Sequence, residues 1–155
     1  MDISFKTEAG RFNGRVCGVI VHNGRLLVMQ DGACPYFYLP GGRIQLHETA
    51  EQAMLREMQE EMGFQLPILR PLWLCQAYFT EEVSGERFHE IGFYFLLDAS
   101  SLDKQDFIHN ENGRLNRFHW ADFDALPEMY LYPEFIKEKI HSLPEHLEII
   151  IENRI

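Results

Sequence analysis

Residues Gly42 to Phe64, GRIQLHETAEQAMLREMQEEMGF, decide how the rest of this chain is read. The stretch predicts one helix that begins near Glu48 or Thr49 and stops at Gly63, a residue that tolerates the left-handed conformation in which helices often end. Met54, Met58 and Met62 recur every fourth residue, with Leu55 beside them, and predict the stripe that packs inward. At about 100° per residue, Glu57, Glu60 and Glu61 fall within a sector of roughly 100° on one face. Two carboxylates about 5 Å apart repel by roughly 3 kcal/mol at an effective dielectric of about 20. No lysine or arginine falls in that sector, so the expected counter-charge is a hard divalent cation with oxygen ligands, which shares its remaining positions with phosphates. A solvated acidic face would carry the same run of glutamates. Ala50 and Ala53 share the sector and are expected to leave room above the carboxylates for a bulky ligand.

The spacing separates these readings. Gly42, Glu48, Arg56-Glu57-Met58, Glu60-Glu61 and Gly63-Phe64 satisfy every specified position of the Nudix box. At ordinary residue usage, a chance match at one starting point is on the order of one in a billion. On these residues the chain resembles the Nudix hydrolases, metal-dependent enzymes that cleave a nucleoside diphosphate linked to another moiety. The resemblance implies an α/β fold, the Nudix-type α/β/α sandwich around a mixed β-sheet. It makes Glu57, Glu60 and Glu61 the metal ligands, with the main-chain carbonyl of Gly41 or Gly42 as a further one and Mg²⁺ or Mn²⁺ as the metal. Arg56 and Glu48 hold positions whose family role is to orient the helix and its carboxylates. The helical wheel puts Glu48 opposite the acidic sector, so it is expected in the loop or first turn.

In parts of the family a glutamate on a downstream loop assists the metals or the attacking water. Glu111 in HNENG is the first candidate here and Glu90 in RFHEIGF the second. Many members carry glycine just before the first box glutamate, where this chain has His47. That turn must therefore accept a side chain, either as a substrate contact or as an exposed bystander. A competing reading from another class is a Nudix domain that binds a nucleotide as a sensor or scaffold without cleaving it. Such a module has little need of three clustered carboxylates.

Composition sets the outer bounds. A chain of 155 residues, 46% hydrophobic and 13% aromatic, suits one domain over residues 1–155 with a sizeable core. Its 24 acidic and 14 basic side chains give a formal charge of −10, which argues against a surface for duplex nucleic acid. The same field repels an anionic nucleotide unless metal is bound, so low charge and metal dependence fit together. Cys17, Cys34 and Cys75 are odd in number and lack paired or zinc-type spacing, which reads as reduced thiols in a cytoplasmic protein. MDISFKTEAG has no signal pattern, and the longest apolar run, Ile91 to Leu97, is too short to span a bilayer, so no membrane partner is expected.

Around the central helix, β-branched and aromatic runs predict strands at Ile3 to Thr7, Arg15 to His22, Leu26 to Gln30, Tyr36 to Leu39, Ile68 to Thr80, Arg87 to Asp98, Leu115 to Trp120 and, at an edge, Leu147 to Glu152. Asn23-Gly24 is a type I′ hairpin signal. Asp98 to Gly113 reads as a polar, site-lining loop, Ala121 to Leu126 as a helical turn, and Pro133 to His141 as a second helix with proline in its first turn. The family often dimerises, and the last strand would supply an edge for a homodimer. The expected partner is a small-molecule nucleotide. Arg15, Arg43 and Arg117 are candidate phosphate contacts, and Tyr36, Tyr78, Phe79 and Trp120 are candidate stacking surfaces. Nucleoside triphosphates, ADP-ribose and sugar nucleotides all stay possible as substrates.

Overall fold

In the computed structural model, which describes residues 1–155, strand β1 (Ser4–Thr7) turns back antiparallel onto β2 (Gly10–Val19). After β3 (Val21–His22), the Asn23-Gly24 turn returns the chain into β4 (Arg25–Asp31), with Asn23 and Gly24 at φ 46° and 72° as a type I′ turn requires. A short strand β5 (Gly41–Arg43) leads into the helix α1 (Ala50–Met62). A long hairpin follows, β6 (Ile68–Thr80) and β7 (Arg87–Leu97), then β8 (Phe107–Glu111) and β9 (Arg114–Asp122). The chain closes with a 3₁₀ turn (Phe123–Glu128), a short helix α2 (Ile136–Lys139) and β10 (Glu148–Asn153).

The strands form two sheets. The larger runs β1-β2-β7-β6-β10, with β5 also paired to β2, and the smaller runs β3-β4-β9-β8. The larger sheet is mixed, because β2 lies parallel to β7 and β10 parallel to β6 while its other pairs are antiparallel. Alternation along β2 divides the core. Val16 joins Met54, Met58 and Met62 of α1 on one face, and Cys17 and Val19 join Phe135, Ile136 and Ile140 on the other. Both faces are thus covered by helix, as expected, and the methionine stripe packs inward with Met54 and Met58 fully buried.

Several boundaries differ from the sequence reading. Tyr36 to Leu39 makes only isolated bridges, because Tyr38 exchanges hydrogen bonds with Met29 while Phe37 pairs with Tyr130 and Tyr132 on the other side. The strand lies instead at Gly41–Arg43. There Gly41 approaches β2 so closely that a Cβ would sit 2.0 Å from the Val16 carbonyl oxygen. The supposed loop from Asp98 to Gly113 contains β8, whose residues alternate half-buried and exposed and which turns into β9 at Asn112-Gly113, φ 50° and 91°. The second helix is four residues long rather than nine, flanked by turns. No helix is long and apolar enough to cross a membrane.

Local signals fix where α1 begins and ends. Thr49 accepts a hydrogen bond from the Gln52 N–H at 3.1 Å, and the Gln52 side chain accepts from the Thr49 N–H at 2.9 Å, a reciprocal cap. Gly63 ends the helix at φ 86°. Thr49→Ala removes one half of this cap and is expected to lower stability by about 1 kcal/mol. Urea unfolding reads it, and an unchanged midpoint would show that the cap does not hold the helix start.

Candidate active site

The acidic sector of α1 faces the protein more than the solvent. Ala53, expected to leave room for a ligand, is fully buried in the core. Glu61, on the same stripe, is 5% exposed. Its Oε1 accepts the Gly41 N–H at 2.7 Å, which ties the helix to β5. Burial, and next the neighbouring Glu57 charge, push the Glu61 carboxyl well above the usual carboxylate range, while the Gly41 N–H acts against the shift. Burial likewise raises Glu57, with Arg56 opposing. The Glu57 carboxylate lies against Gly42, where a Cβ would come within 2.4 Å of it, so that glycine makes the space the carboxylate fills. Glu60 stands out toward solvent.

Arg56 enters this group, contrary to the expectation of an arginine-free sector. Its Nη1 donates to Glu57 at 2.9 Å and to Glu60 at 3.4 Å, while Nε and Nη2 form a fork on Glu48 at 2.7 and 2.9 Å. Nη2 also donates to the Arg43 carbonyl at 2.9 Å, so one guanidinium joins α1, β5 and the loop before the helix. The wheel treated side chains as radial spokes, whereas a long arginine bends across to the next row. Glu48 sits just before the Thr49 cap, accepts the Gln45 N–H at 2.9 Å, and is held below the usual carboxylate range by the Arg56 hydrogen bonds. His47 takes φ 70°, the left-handed region, with its side chain exposed.

Glu111, at the end of β8, reaches the C-terminal half of this helix. Asn116 Nδ2 donates to Glu111 Oε1 at 3.0 Å and to the Glu61 carbonyl at 3.1 Å, and Arg114 donates to the same Glu111 oxygen at 3.0 Å. Sequence reading missed Asn116. Its signal is a polar residue at an inward position of β9, in register with Phe118 and Trp120, and it is fully buried.

A cleft of about 540 Å³ has as its floor the face of the larger sheet that α1 does not cover. The box glutamates do not line it; Arg15 and Arg43, opposite each other on β2 and β5, stand where the two regions meet. Glu90 lies on the floor, and Tyr36, Phe79 and Tyr132 are among its walls. At the mouth, Tyr36 donates to Glu81 at 3.0 Å, and Tyr130 and Tyr132 both donate to Glu82. Three expected contacts lie elsewhere. Arg117 is exposed on the outer side of β9, because the alternation that buries Asn116 and Phe118 turns it away. Tyr78 falls on the opposite face from Ala77 and Phe79 and packs against His89 with centroids 4.6 Å apart. Trp120 is buried in the core beneath Arg25.

Carboxylate oxygens gathered on one helix face, with Gly42 leaving one of them room, form the donor set that a hard divalent cation takes. As the side chains stand, no three His, Cys, Asp or Glu are drawn together tightly enough to hold an ion. Arg56 occupies the counter-charge position between Glu57 and Glu60. The residue types therefore fit a metal, and Arg56 meets Glu57 through Oε1 alone, which leaves Oε2 of that carboxylate without a protein partner.

The NUDIX domain model matches residues 12–143. An ADP-ribose pyrophosphatase of Methanocaldococcus jannaschii is 31% identical over 87 residues, covering 54% of this chain and 49% of that protein. The chain spans less than half the length of two curated relatives it matches, 41% of one and 49% of the other. Among solved structures, a MutT protein from Bacillus halodurans superposes with a TM-score of 0.62 at 17% identity, covering 88% of this chain and 86% of that one. A MutT NUDIX hydrolase from Burkholderia pseudomallei gives 0.56 at 27% identity, covering 73% and 84%.

The Glu48 fork has a pH signature. Its folded carboxyl lies below the unfolded value of about 4.3, so its contribution is fully present above that value and lost as pH falls through the lowered one. Glu48→Gln is expected to cost about 1–3 kcal/mol at neutral pH. Denaturant unfolding across pH should show the gap from wild type closing below about pH 4. A gap that is independent of pH would mean the ion pair is not its source.

Proposed function

The chain belongs to the NUDIX family, and from that membership we propose that it is a metal-dependent pyrophosphohydrolase cleaving the diphosphate of a nucleoside diphosphate linked to a further moiety. The observation that carries the reading is the convergence of Glu48, Glu57 and Glu60 on Arg56, with Glu61 fixed to Gly41, at the edge of a cleft large enough for a nucleotide. Arg15 and Arg43 bind and orient the phosphates from the cleft side. Glu57, Glu60 and Glu61, with a main-chain carbonyl of Gly41 or Gly42, would hold Mg²⁺ or Mn²⁺. When bound, the cation offsets phosphate charge and makes a coordinated water more acidic. Arg56 keeps the carboxylates positioned and Glu48 keeps Arg56 in place.

Glu111 accepts the proton. Both of its protein hydrogen bonds fall on Oε1, which leaves Oε2 for the attacking water. The water oxygen bonds to phosphorus, the bridging P–O bond breaks, and the leaving phosphate carries off the bond's electrons. Tyr36 and Phe79 on the cleft walls support stacking of a base. Nucleoside triphosphates, ADP-ribose and sugar nucleotides are the substrate types to compare, and the free thiols of Cys17, Cys34 and Cys75 suit a reducing, cytoplasmic setting.

Phosphate release from a panel of these compounds is expected with Mg²⁺ and abolished by chelator; no metal-dependent turnover on any of them would favour a binding-only domain. Glu61→Gln should cut turnover by about 10²-fold or more. Its metal-free melting temperature should stay level or rise slightly, because the amide relieves repulsion yet still accepts from Gly41. Full activity in that variant would contradict the metal role. Glu111→Gln should lower the rate by about 10²-fold and flatten the acid limb of the pH–rate profile with little change in metal affinity. A wild-type profile would remove Glu111 from the mechanism.

A further inference from the structure

The register of the larger sheet sets the order of side chains along the cleft floor. Arg15 stands opposite Gly92, and Asn13 opposite Glu90, in the β2–β7 ladder. Two residues farther along β7, Phe88 stands opposite Phe79 of β6, their rings stacked with centroids 5.2 Å apart and planes 6° from parallel. All of these except Gly92 line the cleft. Same-face positions on a strand are separated by about 6.7 Å. The floor therefore runs in even steps: a guanidinium, then a carboxylate with an amide, then an aromatic platform. A nucleotide presents phosphate, sugar and base in that order at comparable intervals.

Glu90 is the unusual member. It is 8% exposed, yet its only partners are Asn13 Nδ2 at 3.4 Å and Arg15 Nη1 at 3.9 Å, the second beyond hydrogen-bond length. Both contacts fall on Oε2, and Oε1 makes no hydrogen bond. Asn13, itself 4% exposed, is oriented by Ser4, whose hydroxyl donates to Asn13 Oδ1 at 2.7 Å and so turns Nδ2 toward Glu90. A carboxylate this buried and this poorly matched favours a donor from a ligand. A carboxylate accepts only, so the ligand group above it must donate. Between the phosphate step and the aromatic step, the donors of a nucleotide are the 2′- and 3′-hydroxyls of ribose. The amino and imino groups of a base would lie one step farther on, over Phe79 and Phe88.

We infer that Glu90, positioned by Asn13, accepts from the ribose hydroxyls and selects ribonucleotides over their 2′-deoxy forms. This assignment rests on the diphosphate lying at the Arg15 end, as proposed above. Acidic side chains serve the same chemistry on ribose 2′-hydroxyls in dinucleotide-binding folds.

Binding of ADP, GDP, UDP and CDP to the Mg²⁺-supplemented protein, each against its 2′-deoxy counterpart, reads the subsite whether or not cleavage occurs. The ribo form of the best-bound nucleotide is expected to bind about tenfold tighter or more. Equal binding, or preference for the deoxy form, overturns the inference. A ribo preference without turnover would sink only the reaction. Glu90→Gln should draw the ratio toward one, and so should Asn13→Ala, which frees the same carboxylate and serves if the first variant does not fold. A Glu90→Gln protein that binds or cleaves both forms more weakly but keeps their ratio would make the residue structural or a proton acceptor, and would overturn the assignment.

Discussion

The crowding of carboxylates along one edge of α1 is the constraint that the rest of the molecule answers. Two like charges about 5 Å apart repel by roughly 3 kcal/mol at an effective dielectric of about 20, and Glu61 stands next to Glu57 while almost completely buried. Arg56 offsets much of this by contacting Glu57, Glu60 and Glu48 together. The Gly41 N–H offsets more at Glu61. Those contacts also bind the helix to β5 and to the preceding loop, so the arrangement that makes the site acidic is the one that docks the helix. Helix docking and the acidity of the site draw on the same few atoms here.

Much of this was legible in the sequence because it is written in local spacing. The box positions, the Thr49 start, the Gly63 stop and the methionine stripe depend on residues within a few turns of one another, and the structure agrees with them. The mixed sheet and helix on both faces followed from the family resemblance. What escaped was set by long-range partners. Whether Tyr36 to Leu39 forms a strand depends on Met29 on one side and Tyr130 with Tyr132 on the other, and each supplies only part of a ladder. β8 hid behind polar residues, although Asn112-Gly113 is the same turn signal that was read correctly at Asn23-Gly24.

The site was legible to the same degree. Residue types suggested arginines and aromatics for substrate, but which face each takes is a question of register. Arg15 and Arg43 fell on the cleft, whereas Arg117, Tyr78 and Trp120 turned away. A one-residue difference along a strand decides this. His47 shows the converse: the family departure was visible, and the structure gives its physical content as a left-handed backbone carrying a side chain.

The cleft floor belongs to strands and the clustered glutamates to a helix, and this division has a consequence for descent. Because neighbours along a strand point to opposite faces, Asn13, Glu90 or Phe88 can be exchanged in a lineage without altering the residues beneath α1. Under the proposed function, ligand preference can then change while the glutamates of the helix stay in place. A scaffold divided in this way lets the two surfaces vary independently of each other.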